Sequence, residues 1–222
     1  MTDFDPANAS PTPSAALLTP DNCVFLFVDH QPQMFFGTTS HDRQTIINNT
    51  VGLGKAAKVF DVPVVLTTVA ADTFSGHLLP PLAAEFPDHP ILDRTSMNCW
   101  EDAAVVEAVK ATGRRKIVLS GLWTEVCLVF PALSAMAQGY EIYLVADASG
   151  GTTGAAHDHA LQRVIQHGGH VLTWLQVMLE LQRDWARSAT YDPVNAVVKE
   201  HAGAYGLGIY YARDFIGAHA VG

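Results

Sequence analysis

Basic residues are scarce in this chain: 13 Lys and Arg face 22 Asp and Glu, a formal charge of −9 with all ten histidines neutral. Nucleic-acid phosphates call for a basic patch, and the longest basic cluster is Arg114-Arg115-Lys116, so charge argues against a nucleic-acid partner. Long apolar runs are missing as well. None approaches the roughly 20 residues that span a bilayer, and Met1-Thr2-Asp3-Phe4-Asp5 has neither the basic nor the apolar part of a secretion signal. The expectation is a soluble, cytoplasmic protein with no membrane partner. Cysteine is limited to Cys23, Cys99 and Cys127, an odd number at wide spacing that suits neither a disulfide framework nor a CxxC metal site. At least one thiol is therefore free.

What is abundant is apolar surface. Hydrophobic residues make up 49% and charged ones 16% of the 222 residues, which excludes disorder and leaves subunit contacts as one use for the excess. Residues 1–20, with Pro6, Pro11, Pro13 and Pro20 among small polar residues, read as an irregular arm. One domain is expected over 21–187. Within it, apolar blocks of strand length (Cys23–Val28, Val62–Val69, Pro90–Leu92, Lys116–Ser120, Glu141–Ala146, His170–Trp174) alternate with helical spacing over about 45–60, 102–112, 125–138 and 155–167. Such repetition predicts a mostly parallel sheet covered by helices on both faces, with ligands bound beyond the C-terminal strand ends. Residues 188–222, rich in Gly, Ala and Tyr toward their end, read as a tail that packs on the domain or on a neighbouring subunit.

Three strand ends carry chemistry. Asp29 follows the first strand, where it is either a turn cap or a functional carboxylate. Arg94 follows the third, as a surface charge or as the partner of a carboxylate. After the fourth, Gly121-Leu122-Trp123-Thr124-Glu125-Val126-Cys127 leads into an apolar helix, making Thr124 a candidate N-cap and Cys127 its third helical residue. Free amides and the helix dipole at that position lower a thiol pKa and can hold an oxyanion. The plain alternative is a small cysteine buried under the sheet.

The stretches Phe27-Val28-Asp29-His30-Gln31, Gly121 to Ala135, Asp147-Ala148-Ser149-Gly150 and Leu172-Thr173-Trp174 with Glu180-Leu181 and Arg183-Asp184-Trp185 resemble the isochorismatase-like cysteine hydrolases, in particular the YcaC-type subgroup. The resemblance spans about residues 21–187. It implies a three-layer, Rossmann-like α/β fold with a six-stranded, mostly parallel sheet flanked by helices. It also implies a triad of Asp29 as base, Arg94 in the basic position and Cys127 as nucleophile. Arginine stands where most of the superfamily has lysine, and it cannot donate a proton near neutral pH, so its part is orientation and charge. A cis peptide at Leu122-Trp123, an oxyanion site from the Trp123 and Cys127 amides, and a ring-built homo-oligomer such as an octamer are further implications. The Asp-x-His pair of metal-binding members is missing from Thr67 to Asp72, so neither metal nor cofactor is expected.

Around these, Phe35, Phe36, Asn98, Trp100 and Trp123 are candidates to line the substrate pocket, or else packing residues. Specificity is expected from loops such as 72–88. His157 and His159 are too close along a helix to share an ion and read as solvated or capping residues. Gly150-Gly151-Thr152-Thr153-Gly154 lacks the lysine of a phosphate loop and reads as a flexible connection. The leading expectation is cleavage of a carbon–nitrogen bond in a small amide, carbamoyl, lactam or imide through a thioester. A non-catalytic small-molecule binder or thiol redox sensor, and hydrolysis of a vinyl ether, are the alternatives.

Overall fold

The computed structural model describes residues 10–217. The outer parts of the expected arm and tail, 1–9 and 218–222, lie outside them. Six strands, Cys23–Val28 (β1), Val64–Val69 (β2), Ile91–Arg94 (β3), Lys116–Gly121 (β4), Glu141–Val145 (β5) and His170–Leu172 (β6), form one sheet in the order β3-β2-β1-β4-β5-β6. Every pairing is parallel, where the sequence indicated only mostly parallel. The order reverses between β1 and β4, and a crevice at that switch point is where open α/β sheets bind ligands.

β1 has no solvent-facing side. Cys23, Phe25 and Phe27 pack into one core and Val24, Leu26 and Val28 into the other, the period of two that a pleated strand imposes. On the first face lie Arg43–Val59 (α2), Trp174–Gln182 (α7) and Ser188–His201 (α8); on the second lie Ala103–Ala111 (α4), Val129–Ala137 (α5) and Gly154–Gln166 (α6). Two short helices, Pro32–Phe36 (α1) and Pro80–Glu85 (α3), and Gly203–Tyr210 (α9) complete the described α-helices.

The segment read as a tail is largely helical. α8 buries Val194, Val197 and Val198 in the first core, and α9 packs back on α8, a Cβ at Gly206 coming within 2.4 Å of the Val198 carbonyl. At the other end, residues 15–18 run under the sheet: the Ala15 and Leu17 carbonyls accept from Lys116 Nζ, and the Ala16 carbonyl accepts from the Tyr143 hydroxyl. No described helix is long and apolar enough to cross a membrane.

Candidate active site

Asp29 follows β1 with φ 55°, a left-handed conformation that few non-glycine residues tolerate, aspartate among them. Its amide donates to the Thr67 carbonyl at 3.0 Å, and its side chain is wholly buried. Arg94 closes β3, two strands away. Its guanidinium crosses the end of β2, donating from Nη1 to the Thr68 carbonyl at 2.7 Å, and forms a bidentate pair with Asp29, Nη1 to Oδ1 at 2.7 Å and Nη2 to Oδ2 at 2.9 Å. With 1% of its side chain exposed, Arg94 is not a surface charge.

β4 meets β1 so closely at its end that a Cβ on Gly121 would lie 2.1 Å from the Val28 carbonyl oxygen. The Leu122–Trp123 peptide that follows is cis. Thr124 is not the expected N-cap. Residues Thr124–Leu128 form a wide π-helical turn with Trp123 at its cap, and the Thr124 hydroxyl bonds instead to His157 Nδ1 at 2.8 Å. α5 follows directly at Val129, whose amide donates to the Thr124 carbonyl, and Pro131 falls in its first turn, where proline is best tolerated.

The turn brings Cys127 to Asp29. The thiol is buried, and the Asp29 carboxylate and the Trp123 amide both act on it. Burial, reinforced by the Asp29 charge, pushes the Cys127 thiol well above its ordinary value, against the pull of Arg94 and the Trp123 amide. The lowered pKa expected from the helix terminus is therefore not found; the group at rest is a thiol beside an acceptor for its proton. Burial also raises the Asp29 carboxyl, opposed by the hydrogen bonds and charge of Arg94.

A cavity of about 210 Å³ opens above the sulfur, walled by Met34, Val69, Phe74, Met97, Trp123 and Val126. Ser75 borders it too. The wall segment 70–76 is pinned by Gln31, fully buried, whose Nε2 donates to the carbonyls of Val69 and Gly76 and whose Oε1 accepts from the Val69 amide at 2.9 Å. Among the five aromatic and amide candidates, Trp123 borders this cavity and the other four do not. Phe35 packs into the core against His30, Phe36 is 70% exposed, Asn98 caps the turn at 99–101 while bonding Glu101 and Ser134, and Trp100 is buried edge-on to Tyr140. Adjacency to a strand end in sequence says little about which way a loop then turns. The aliphatic and thioether wall carried no sequence signal of its own, although the expected specificity loop 72–88 contains Phe74 and Ser75.

Two expected bystanders support the site. His157 is buried, and burial together with nearby His41 pushes it down to about 4, so it is neutral at physiological pH. Glu125 Oε1 accepts from the Thr152 amide at 2.9 Å and hydroxyl at 2.6 Å, tying the connection read as flexible to the cysteine turn. Among the described residues no three His, Cys, Asp or Glu side chains gather as a metal site.

Residues 23–176 match the isochorismatase domain family. The probable hydrolase YcaC of Escherichia coli K12 is 38% identical over 169 residues, covering 76% of this chain and 81% of that one. The crystal structure of the E. coli YcaC gene product, described as an octameric hydrolase of unknown specificity, aligns with a TM-score of 0.86 at 34% identity, over 92% of this chain and 100% of that one. YcaC from Pseudomonas aeruginosa, solved with hexane-2,5-diol and covalent acrylamide, gives a TM-score of 0.84 at 33% identity, over 89% and 98%. The parallel sheet thus sits within a known frame, and the chain belongs to the isochorismatase family of hydrolases.

Proposed function

We propose that this protein is a metal-independent cysteine hydrolase that cleaves a carbon–nitrogen bond of a small amide, carbamoyl, lactam or imide compound. The observation that carries the reading is the buried thiol of Cys127 beside a carboxylate that Arg94 holds in two hydrogen bonds, below a cavity. As the Cys127 sulfur attacks the carbonyl carbon, its proton passes to Asp29 and a C–S bond forms. The amides of Trp123 and Cys127 hold the oxyanion. Its collapse breaks the C–N bond, the amine leaves with the proton from Asp29, and a thioester remains. Water then gives a proton to Asp29 and attacks the thioester, which releases the carboxylic acid and restores the thiol. Arg94, unable to give up its proton, keeps the carboxylate in place throughout.

The covalent acrylamide in the P. aeruginosa relative supports the reading, since an electrophile becomes covalently attached only through a nucleophile. The octameric E. coli relative supports a homo-oligomer for this chain. The test is a panel of small amides, carbamoyl amino acids, lactams and imides assayed with the wild type and with Cys127→Ala and Asp29→Asn. Hydrolysis by the wild type and loss of at least roughly 100-fold in either variant is expected. Unchanged turnover in Cys127→Ala overturns the mechanism. Isochorismate belongs in the same assay: thiol-independent hydrolysis of its vinyl ether would replace this reading with the ether-cleaving one.

A further inference from the structure

The wall of the cavity over Cys127 is unusual in what it offers a ligand. Met34, Val69, Phe74, Met97 and Val126 have no hydrogen-bonding group to give beyond a weak thioether sulfur, and the indole Nε1 of Trp123 is already spent on the Met34 carbonyl at 2.8 Å. No lining side chain carries a charge. The nearby charges of Asp29 and Arg94 neutralise one another in their own pair and are buried beneath. Ser75 borders the cavity as well, but its Oγ is buried in the protein and shows no surface to it. With about 210 Å³ the cavity falls below the roughly 300 Å³ at which drug-sized ligand sites begin.

We propose that the cavity selects a small uncharged amide with a largely apolar body. The proposal rests on the cysteine hydrolase reading and narrows its substrate class, setting aside carbamoyl amino acids and other anionic amides, because with the Trp123 and Cys127 amides taken by the reacting carbonyl, an ionised group elsewhere in this cavity would lose its water with no side chain to replace it.

Two measurements test it without knowledge of the natural substrate. In the first, Cys127 of the wild type is alkylated by iodoacetamide and by iodoacetate, which share a leaving group and differ in charge, with the rate at this residue followed by mass spectrometry. The preference for the neutral reagent should exceed that of glutathione by at least roughly tenfold. In the second, butyramide and methoxyacetamide, equal in heavy-atom count and differing by one ether oxygen, are compared for the concentration that halves alkylation. Butyramide should act at a concentration at least roughly threefold lower, because no side chain of the wall donates to the ether oxygen. Val126→Ala, which enlarges the cavity and alters no polar group, should move both compounds alike.

A preference no greater than that of glutathione, or protection by methoxyacetamide at an equal or lower concentration than butyramide, overturns the proposal. If anionic amides are then hydrolysed by wild type and not by Cys127→Ala, the hydrolase reading stands while this one falls. Charge selection at Cys127 with no hydrolysis of any amide in the panel has the opposite meaning: the cavity selects as proposed, and the hydrolase reading falls.

Discussion

Arg94 and Asp29 are joined across an intervening strand, and this sets the chemistry each can perform. Neighbouring strands lie about 4.8 Å apart, so a side chain from β3 must reach past β2 before it meets Asp29, and it must still present two parallel donors on arrival. Arginine does both. Replacing Arg94 by Met leaves the Asp29 carboxylate buried and unpaired; urea unfolding at neutral pH should show a loss of roughly 3 to 5 kcal/mol, smaller at low pH where Asp29 is protonated. A loss under about 1 kcal/mol would mean that the pair is dispensable to the fold. Two buried histidines give a second pH effect of known sign. Burial lowers His30 from 6.5 to about 4, and His157 falls likewise to about 4. Between these values the unfolded chain binds protons that the folded chain refuses. The stability the two histidines contribute should therefore be full above pH 6.5 and fall toward pH 4, by up to roughly 1.4 kcal/mol per pH unit for each, while the raised Asp29 carboxyl acts in the opposite direction. Denaturation midpoints across that range check it, with His30→Gln expected to flatten the slope. Asp29 and Arg94 were legible because each stands at or immediately after the end of a strand, where backbone direction alone places it at the sheet edge, and Cys127 because it lies in the first turn after the strand β4. The protonation state of Cys127 was not, because desolvation depends on what packs around the sulfur.

At the level of elements, the site depends on how tightly β1 and β4 approach at the switch point. Gly121 allows that approach. A methyl group at this position would lie 2.1 Å from the Val28 carbonyl oxygen, and because the obstacle is backbone, no rotamer change can relieve a larger residue. Gly121→Ala should separate the strand ends, lower stability by roughly 2 to 3 kcal/mol or more, and reduce Tm by at least roughly 4 to 8 °C. A Tm within about 1 °C of the wild type would contradict the close approach. Strands were easy to find in the sequence, β1 to the residue, since a doubly covered strand is a continuous apolar run. The cysteine turn was harder: a π-helical turn followed by α5 has nearly the apolar pattern of one unbroken helix, and the difference lies in hydrogen bonds that side-chain periodicity does not encode. α8 was masked by its composition. Pro193 lies inside it among polar residues, and its buried valines, Val194, Val197 and Val198, mark a single narrow stripe.

For the molecule as a whole, the apolar excess has two destinations. The sheet takes most of it between two helical layers; of the rest, Phe36, Phe74 and Met97 are exposed on the domain, and a second group lies after α8, where Leu207 is 70%, Tyr211 61%, Phe215 79% and Ile216 61% exposed. Four large apolar residues close together in sequence and open to water are costly on a free subunit, at about 25 cal/mol per Å² of apolar surface that a contact would cover. In the proposed homo-oligomer a second copy covers this face, and a standard interface of about 800 Å² per partner is large enough to do so. Light scattering should then give a mass that is a multiple of 23.9 kDa, eight copies if the assembly follows that of the E. coli relative. The pair of substitutions Leu207→Glu and Phe215→Glu places two charges on the face while leaving both buried cores untouched. It should shift the mass toward smaller species with no change in far-ultraviolet circular dichroism. Retention of the wild-type mass in that variant would show that the contact lies elsewhere, and a monomeric wild type at all concentrations would remove the assembly altogether. Because Cys127, Asp29 and Arg94 all come from one chain, the smaller species should keep a Cys127 thiol that still prefers neutral over anionic alkylating reagents.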